Sequence, residues 1–218
     1  MFLRLLFCVC IAIFSGCRNQ NTTAEPGKPA APTKYEPEPG DFVFQSLSHN
    51  PLIDAIEGSS GSPFSHCGIV KKRDVEKAQG DKWMVIEAIG PVKETQLAHW
   101  IAQGRGSAYV VFRLRDPLAN KIPAILAAAE KYEGRPYDIH YDMDDEKIYC
   151  SELLYKAVRD ATGKELGKSR KLGELNWQPY EKVIRHIENG SLPLDREMIT
   201  PRDFSEAPEL REVFRSRM

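Results

Sequence analysis

At 218 residues the chain allows one domain with a tail or small subdomain, and is long enough to bury a substantial core. Thirty basic residues against 31 acidic ones leave a net charge of −1. No basic block or aromatic-interleaved basic stripe stands out, so the composition argues against nucleic acid as a partner and for a solvated surface of mixed sign.

The N-terminus is expected to lie outside the fold. MFLRLLFCVCIAIFSGC carries Arg4 and then an apolar run from Leu5 to Phe14, too short to span a bilayer and suited to a secretory signal. The run closes on FSGC, which resembles a bacterial lipobox, with Phe14 where leucine is commonest. That resemblance implies a signal peptide over 1–16, cleavage before Cys17 and lipidation of Cys17. Acyl chains contribute about 0.8 kcal/mol per buried CH₂, enough for several to hold a protein on a membrane. Arg18 follows the cysteine in place of the aspartate that marks inner-membrane retention in some bacteria, which points to the outer membrane, facing the periplasm. Residues 17–39 include five prolines between Arg18 and Pro39 and no helical or strand period, as in an extended tether rising about 3.1 Å per residue. The folded domain is expected over 40–218.

Within it, DFVFQS (41–46) predicts a strand and NPLIDAIEGS (50–59) a helix with Pro51 in its first turn. Strands follow at SHCGIVKK (65–72) and KWMVIEAIG (82–90), joined by the polar hairpin connection RDVEKAQGD. TQLAHWIAQG (95–104) predicts a helix, SAYVVFRLR (107–115) a strand, and LANKIPAILAAAEKYEG (118–134) a helix closed by Gly134. An acidic, aromatic loop then leads to a helix from Cys150 to about Thr162. Beyond it only YEKVIRHIENG (180–190) has a helical pattern, and the rest of the tail reads as irregular. Strands early and helices late imply an α+β domain, with helices on one side of a largely antiparallel sheet.

Of the five cysteines, Cys8 and Cys10 would leave with the signal and Cys17 would carry lipid, leaving Cys67 and Cys150. Outside the cytoplasm such a pair suggests one disulfide. Cys150 shares a helical stripe with Leu153, Leu154, Ala157 and Val158, which suits a buried filler. It also stands in the first turn, where the helix dipole and free backbone amides favour a thiolate and can stabilise an oxyanion. Glu87 is a carboxylate on an otherwise apolar strand and needs a buried partner. His66 on the neighbouring strand would supply one, and the carboxylate would fix the imidazole tautomer. Cys67 follows His66 and therefore points to the opposite face, so Cys150 is not expected to meet both.

GDFVF, SPFSHCGIV, VIEAIGPV, GRPYD and YCSELLYKA, in this order, resemble the permuted papain-like enzymes of the NlpC/P60 superfamily, specifically the YiiX/YaeF-like amidase group (DUF830, peptidase C92 type). The likeness covers roughly 40–162 and, less clearly, ITPRDF at 199–204. It implies a circularly permuted papain-like α+β fold with Cys150 as nucleophile, His66 as general base and Glu87 as the orienting acid. Tyr137, in GRPYD, matches a tyrosine position of the family and would line the site. The resemblance implies a cysteine amidohydrolase that needs no cofactor and acts through an acyl-enzyme on an amide linking an acyl or lipid group to an amino acid or peptide, or on a cell-wall-derived amide. A thiol acyltransferase, and a lipoprotein of this fold that binds lipid or peptide without turnover, are the alternatives.

Two other stretches carry donor atoms. DIHYDMDDE (138–146) lacks the sixth-position glycine and distant glutamate of a calcium loop, so it is expected to be a solvated acidic loop and not a metal site. EGSSGSP (57–63) is neither a nucleophile elbow nor a phosphate loop, and is expected to be a mobile loop on the rim of the site.

Overall fold

The first strand, β1 (Phe42–Gln45), is buried at all four positions and lies inside a six-stranded sheet. A continuous apolar run suits a strand covered on both faces. Phe42 and Phe44 enter one core and Val43 the other. The computed structural model describes residues 34–73 and 82–216. The expected signal peptide, Cys8, Cys10, Cys17, most of the tether and residues 74–81 of the hairpin connection lie outside the described residues. Tyr35, within the stretch expected to be tether, packs on Tyr109 and Phe214 and donates a 2.8 Å hydrogen bond to Asp41.

The remaining strands are β2 (His66–Lys72), β3 (Trp83–Ala88), β4 (Val92–Gln96), β5 (Tyr109–Leu114) and β8 (Leu210–Arg215), with β6 (Arg170–Lys171) and β7 (Glu197–Met198) forming a separate pair. The large sheet has the order β4-β3-β2-β1-β5-β8, and every neighbouring pair is antiparallel. The helices are α1 (Pro51–Ser60), α2 (Leu97–Gln103), α3 (Ile122–Glu130), α4 (Cys150–Thr162), α5 (Glu181–Ile187) and α6 (Pro201–Ser205).

Three features depart from the expected layout. Helices do not occupy one side only: α3 and α4 cover the face of Phe42, Phe44, Ile69 and Ile86, while Leu97 and Trp100 of α2 pack with Val43, Val70 and Val85 on the other. The predicted helix at 95–104 begins two residues late, because Thr95 and Gln96 end the unpredicted strand β4. The tail is also more ordered than expected. Strand β8 pairs with β5, and Phe204 of α6 packs edge-on against Phe42 at 5.1 Å between ring centroids.

Local signals set the helix ends. The side chain of Asn50 accepts from the backbone of Leu52 and Ile53, Pro51 opens the first turn of α1, and Gly61 closes it at φ 65°. Ser59 and Ser60 thus complete a helix, and only the end of the glycine-serine cluster is loop. Helix α4 buries Leu153, Leu154, Ala157 and Val158 completely, each leucine stabilising the fold by roughly 1.5–3 kcal/mol.

Helix α4 also buries a charge pair. Lys156 Nζ lies 2.8 Å from Glu152 and 2.6 Å from Asp145. Burial pushes the Glu152 carboxyl up to about 7, against the hydrogen bonds from Lys156 and the Tyr149 backbone. Removing one partner leaves a buried group unpaired. Lys156→Met is therefore expected to lower the unfolding free energy by up to about 3–5 kcal/mol in urea denaturation, far more than loss of an exposed pair.

Candidate active site

Cys150 is the first residue of α4. Tyr149 before it is extended, at φ −100° and ψ 169°, so the helix opens at the cysteine. Three contacts hold this start in place. The Tyr149 N–H donates to Glu152 at 3.1 Å, the Tyr149 hydroxyl accepts from Ile199 N at 2.9 Å, and Ser151 Oγ donates to the Ile199 carbonyl at 2.7 Å. The stretch ITPRDF thereby pins the helix N-terminus.

His66 is the first residue of β2, and Glu87 lies across on β3, paired with Gly68. His66 Nε2 and Glu87 Oε2 are 2.6 Å apart, with both side chains buried. Gly68, between them, leaves no room for a side chain, since a Cβ there would come within 2.4 Å of Val85 Cγ1 and 2.9 Å of the Ile86 carbonyl oxygen. Thr95 Oγ1 donates to the other carboxylate oxygen, and the Trp100 ring lies 5.9 Å from the imidazole. Thr95 was invisible to the sequence reading because its strand was not recognised. A period-two alternation placing residues 93 and 95 beside 85 and 87 was the only available signal.

The His66 imidazole and Cys67 both lie close enough to act on the Cys150 thiol, which is 4.0 Å from the Ser65 carbonyl. The expectation that Cys150 would not meet both residues is therefore corrected. Alternation does send His66 and Cys67 to opposite faces, with Cys67 on the side covered by α4. His66, however, stands at the very start of β2, so the helix end reaches its ring around the end of the strand. Both cysteines are free, and no disulfide joins them.

The electrostatics follow from these contacts. Burial opposes charge on His66, but hydrogen bonds and Coulomb attraction from Cys150 and Glu87 prevail and push its pKa up to about 9. Burial also opposes charge on Glu87, yet the His66 contact and the Thr95 hydrogen bond hold its pKa below the usual carboxylate value. Hydrogen bonding from Cys67, then from His66 and its charge, holds the Cys150 thiol well below an ordinary cysteine against the opposing effect of burial. The set favours a thiolate, an imidazolium and a carboxylate.

A cleft opens on Cys150. Its walls are mainly aliphatic, from Leu52 and Ile56 of α1, Ile184 and Ile187 of α5, and Leu175 and Met198 of the tail. Tyr141 lines it, and Tyr137 sits behind with its hydroxyl 3.4 Å from that of Tyr141. Tyr141 has a left-handed φ of 60°, which Asp138 holds by accepting from the backbone N–H groups of His140 and Asp142. The loop 138–146 is solvated at its tip, where Asp144, Asp145 and Glu146 are exposed, and anchored at its start. Asp138 is 2% exposed, Asp142 pairs with Arg196 at 2.8 Å and Asp145 with Lys156.

The sequence pattern of the family described as permuted papain-like amidase enzyme, YaeF/YiiX, C92 family, matches residues 36–214. The chain belongs to this family. The C92-family chain is 32% identical over 182 residues to the uncharacterized protein YiiX of Escherichia coli strain K12, covering 82% of this chain and 87% of that one. It also resembles the crystal structure described as metalloprotein yiiX from Escherichia coli O157:H7, with a TM-score of 0.75 and 30% identity over 84% of this chain and 99% of the other. This makes it a papain-like cysteine amidase or peptidase-type enzyme with a permuted α+β fold.

The word metalloprotein raises the question of whether this C92 member offers a metal site. Among the described residues, no group of three or more His, Cys, Asp or Glu side chains is placed to hold a metal ion. His66 commits Nε2 to Glu87, and the acidic loop spends Asp138, Asp142 and Asp145 on backbone N–H groups and cations. A metal does not fit these residues, and no chemical step is routed through one.

Proposed function

We propose that the enzyme hydrolyses an amide whose acyl part is a long aliphatic chain and whose amine part is an amino acid or peptide. Cys150 is the nucleophile, His66 the acid and base, and Glu87 the residue that orients and charges the imidazole. The observation that carries the substrate reading is the aliphatic cleft opening directly on Cys150. Apolar surface buried there contributes roughly 0.8 kcal/mol per CH₂.

The Cys150 thiolate attacks the amide carbonyl, and the carbonyl oxygen becomes an oxyanion facing the open backbone N–H groups at the start of α4. His66 gives its proton to the departing amine. Neutral His66 then takes a proton from water, which attacks the thioester, releases the fatty acid and restores the thiolate. Glu87, held by Thr95, keeps the ring in the tautomer that presents Nδ1 to the sulfur.

The lipobox-like FSGC supports a reading in which the enzyme is lipid-anchored and works beside a membrane, on the periplasmic side of an outer membrane, where lipid-linked amides are presented. No helix among the described residues is long and apolar enough to cross a membrane, and attachment in this proposal rests on Cys17.

The test is a series of N-acyl amino acids of increasing chain length. kcat/KM is expected to rise by a few-fold for each CH₂ the cleft accommodates, as roughly 0.8 kcal/mol per group dictates, and then to level off. Ile184→Trp, which fills the cleft, is expected to flatten that dependence while leaving the shortest substrate nearly unaffected. A wild-type preference for unacylated peptides would contradict the substrate assignment. Product analysis with an added amine separates transfer from hydrolysis, and hydrolysis is expected to dominate.

A further inference from the structure

Trp100 takes no part in the chemistry above, yet it lies against the catalytic ring. Its position follows from the sheet. Alternation sends His66 to the face of β2 that carries Gly68 and Val70, the face covered by α2. There Trp100 packs with Val43, Val70 and Val85. The indole is fully buried, and its ring centre lies 5.9 Å from that of the imidazole, with the two planes inclined by 30°. That geometry belongs to offset stacking and not to an edge-on contact. The indole N–H is buried as well and finds no protein acceptor among the described residues, a cost that a leucine or phenylalanine in this apolar cluster would not carry. What a tryptophan offers here beyond bulk is its π face, the most attractive to a cation among the aromatic side chains.

We propose that Trp100 is a positioning residue for the catalytic base, its indole stacked on the His66 ring as a cation–π partner that supports the imidazolium and keeps water from the His66–Glu87 pair. This rests on His66 acting as the charged partner of Cys150. The other groups around the ring act on it from different directions. Glu87 on β3 attracts its charge at 2.6 Å, with Lys93 of β4 acting on the same carboxylate, and Cys150 attracts it from the start of α4. Strand β1 presents the neutral Gln45 opposite His66, and α2 carries one titratable residue, His99, which is exposed. Burial by itself opposes a charged ring. An aliphatic cover would add that penalty alone, whereas an indole adds it together with the attraction of its ring quadrupole for a cation.

The experiment is an NMR titration of the His66 ring in the full chain, its signal assigned by its loss in His66→Ala, with tryptophan replaced during expression by mono-, di- and trifluorinated analogues. Fluorine withdraws π density while leaving the shape of the ring, and so the exclusion of water, nearly unchanged. The His66 midpoint is expected to fall stepwise with fluorination, by about one pH unit in the most substituted ring, and the alkaline limb of kcat/KM to fall with it. Because Trp83 and Trp177 are replaced as well, the series is repeated in Trp100→Phe, where the midpoint is expected to start below that of wild type and no longer to respond. A midpoint that stays constant across the series, or a fall that persists in Trp100→Phe, would overturn the proposal and leave Trp100 as an apolar cover. A wild-type midpoint in the ordinary histidine range that still falls with fluorination would refute the charged pair with Cys150 and sustain the stacking.

Discussion

Cys150→Ala is expected to lower kcat/KM by on the order of 10⁵-fold or more, the scale seen when a covalent nucleophile is deleted, with little change in stability. The first effect follows from the loss of the thiol that lines the cleft and is charged through the imidazole. Cys67 touches the site, but burial and the neighbouring thiolate raise its pKa, and it points beneath α4. The second follows from what alanine leaves behind. The helix start remains held by Tyr149, Ser151 and Glu152, none of whose contacts uses the sulfur. The His66–Glu87 pair keeps its 2.6 Å contact. Denaturation in urea is expected to stay within about 1 kcal/mol of wild type, as for changes that empty little volume. A folded Cys150→Ala protein that retains turnover would remove the basis of the mechanism.

His66→Ala is expected to lower kcat/KM by roughly 10⁴-fold, the upper range for loss of a general acid–base group, and to change the pH profile in a definite sense. In the wild-type enzyme the competent form carries a Cys150 thiolate and a His66 imidazolium. Activity therefore rises as pH climbs through the depressed thiol pKa and is level through neutrality. It falls near pH 9, where His66, whose pKa is pushed up to about 9, loses its proton. Without the imidazole the alkaline fall disappears and the acid limb moves upward, because the thiolate has lost its charged partner. Stability also suffers, since Glu87 keeps only the Thr95 donor in a fully buried position. Glu87→Gln retains an acceptor for the ring but not the charge that supports its proton, and is expected to slow turnover less. Residual activity with an unaltered alkaline limb in His66→Ala would show that another group titrates there.

Residue spacing suggested parts of the candidate site, and the ordered family motifs joined them. His66 and Glu87 were legible because strand alternation places a histidine and an otherwise unexplained carboxylate on one face of adjacent apolar strands. The amphipathic stripe that begins on Cys150 suited a buried filler, and only its place in the first turn, together with the ordered family motifs, marked it as a nucleophile. The missing parts have physical causes. Strand β4, VKETQ, is an edge strand with only Val92 buried, and edge strands keep charged and polar side chains that erase the apolar signal. Thr95 was lost with it. Strand β8 is likewise an edge strand whose Arg211, Glu212 and Arg215 are exposed. Alternation correctly assigned Cys67 and His66 to opposite faces, but it carries no information about where along a strand a helix end will sit. The cleft was illegible for a related reason: Leu175, Ile184 and Ile187 are apolar in the way core residues are, and only the packing of α5 beside α1 turns them toward an opening instead of a core.

The central claim, covalent catalysis by Cys150 on an acyl amide, is tested most directly by rapid acid quenching of the full chain with a long-chain N-acyl amino acid and mass analysis of its peptides. The account predicts a transient increase on the peptide carrying Cys150 equal to the acyl group, in thioester linkage, and its absence in Cys150→Ala. Turnover with no adduct at Cys150 under conditions that preserve thioesters, or an adduct on a different residue, would contradict it.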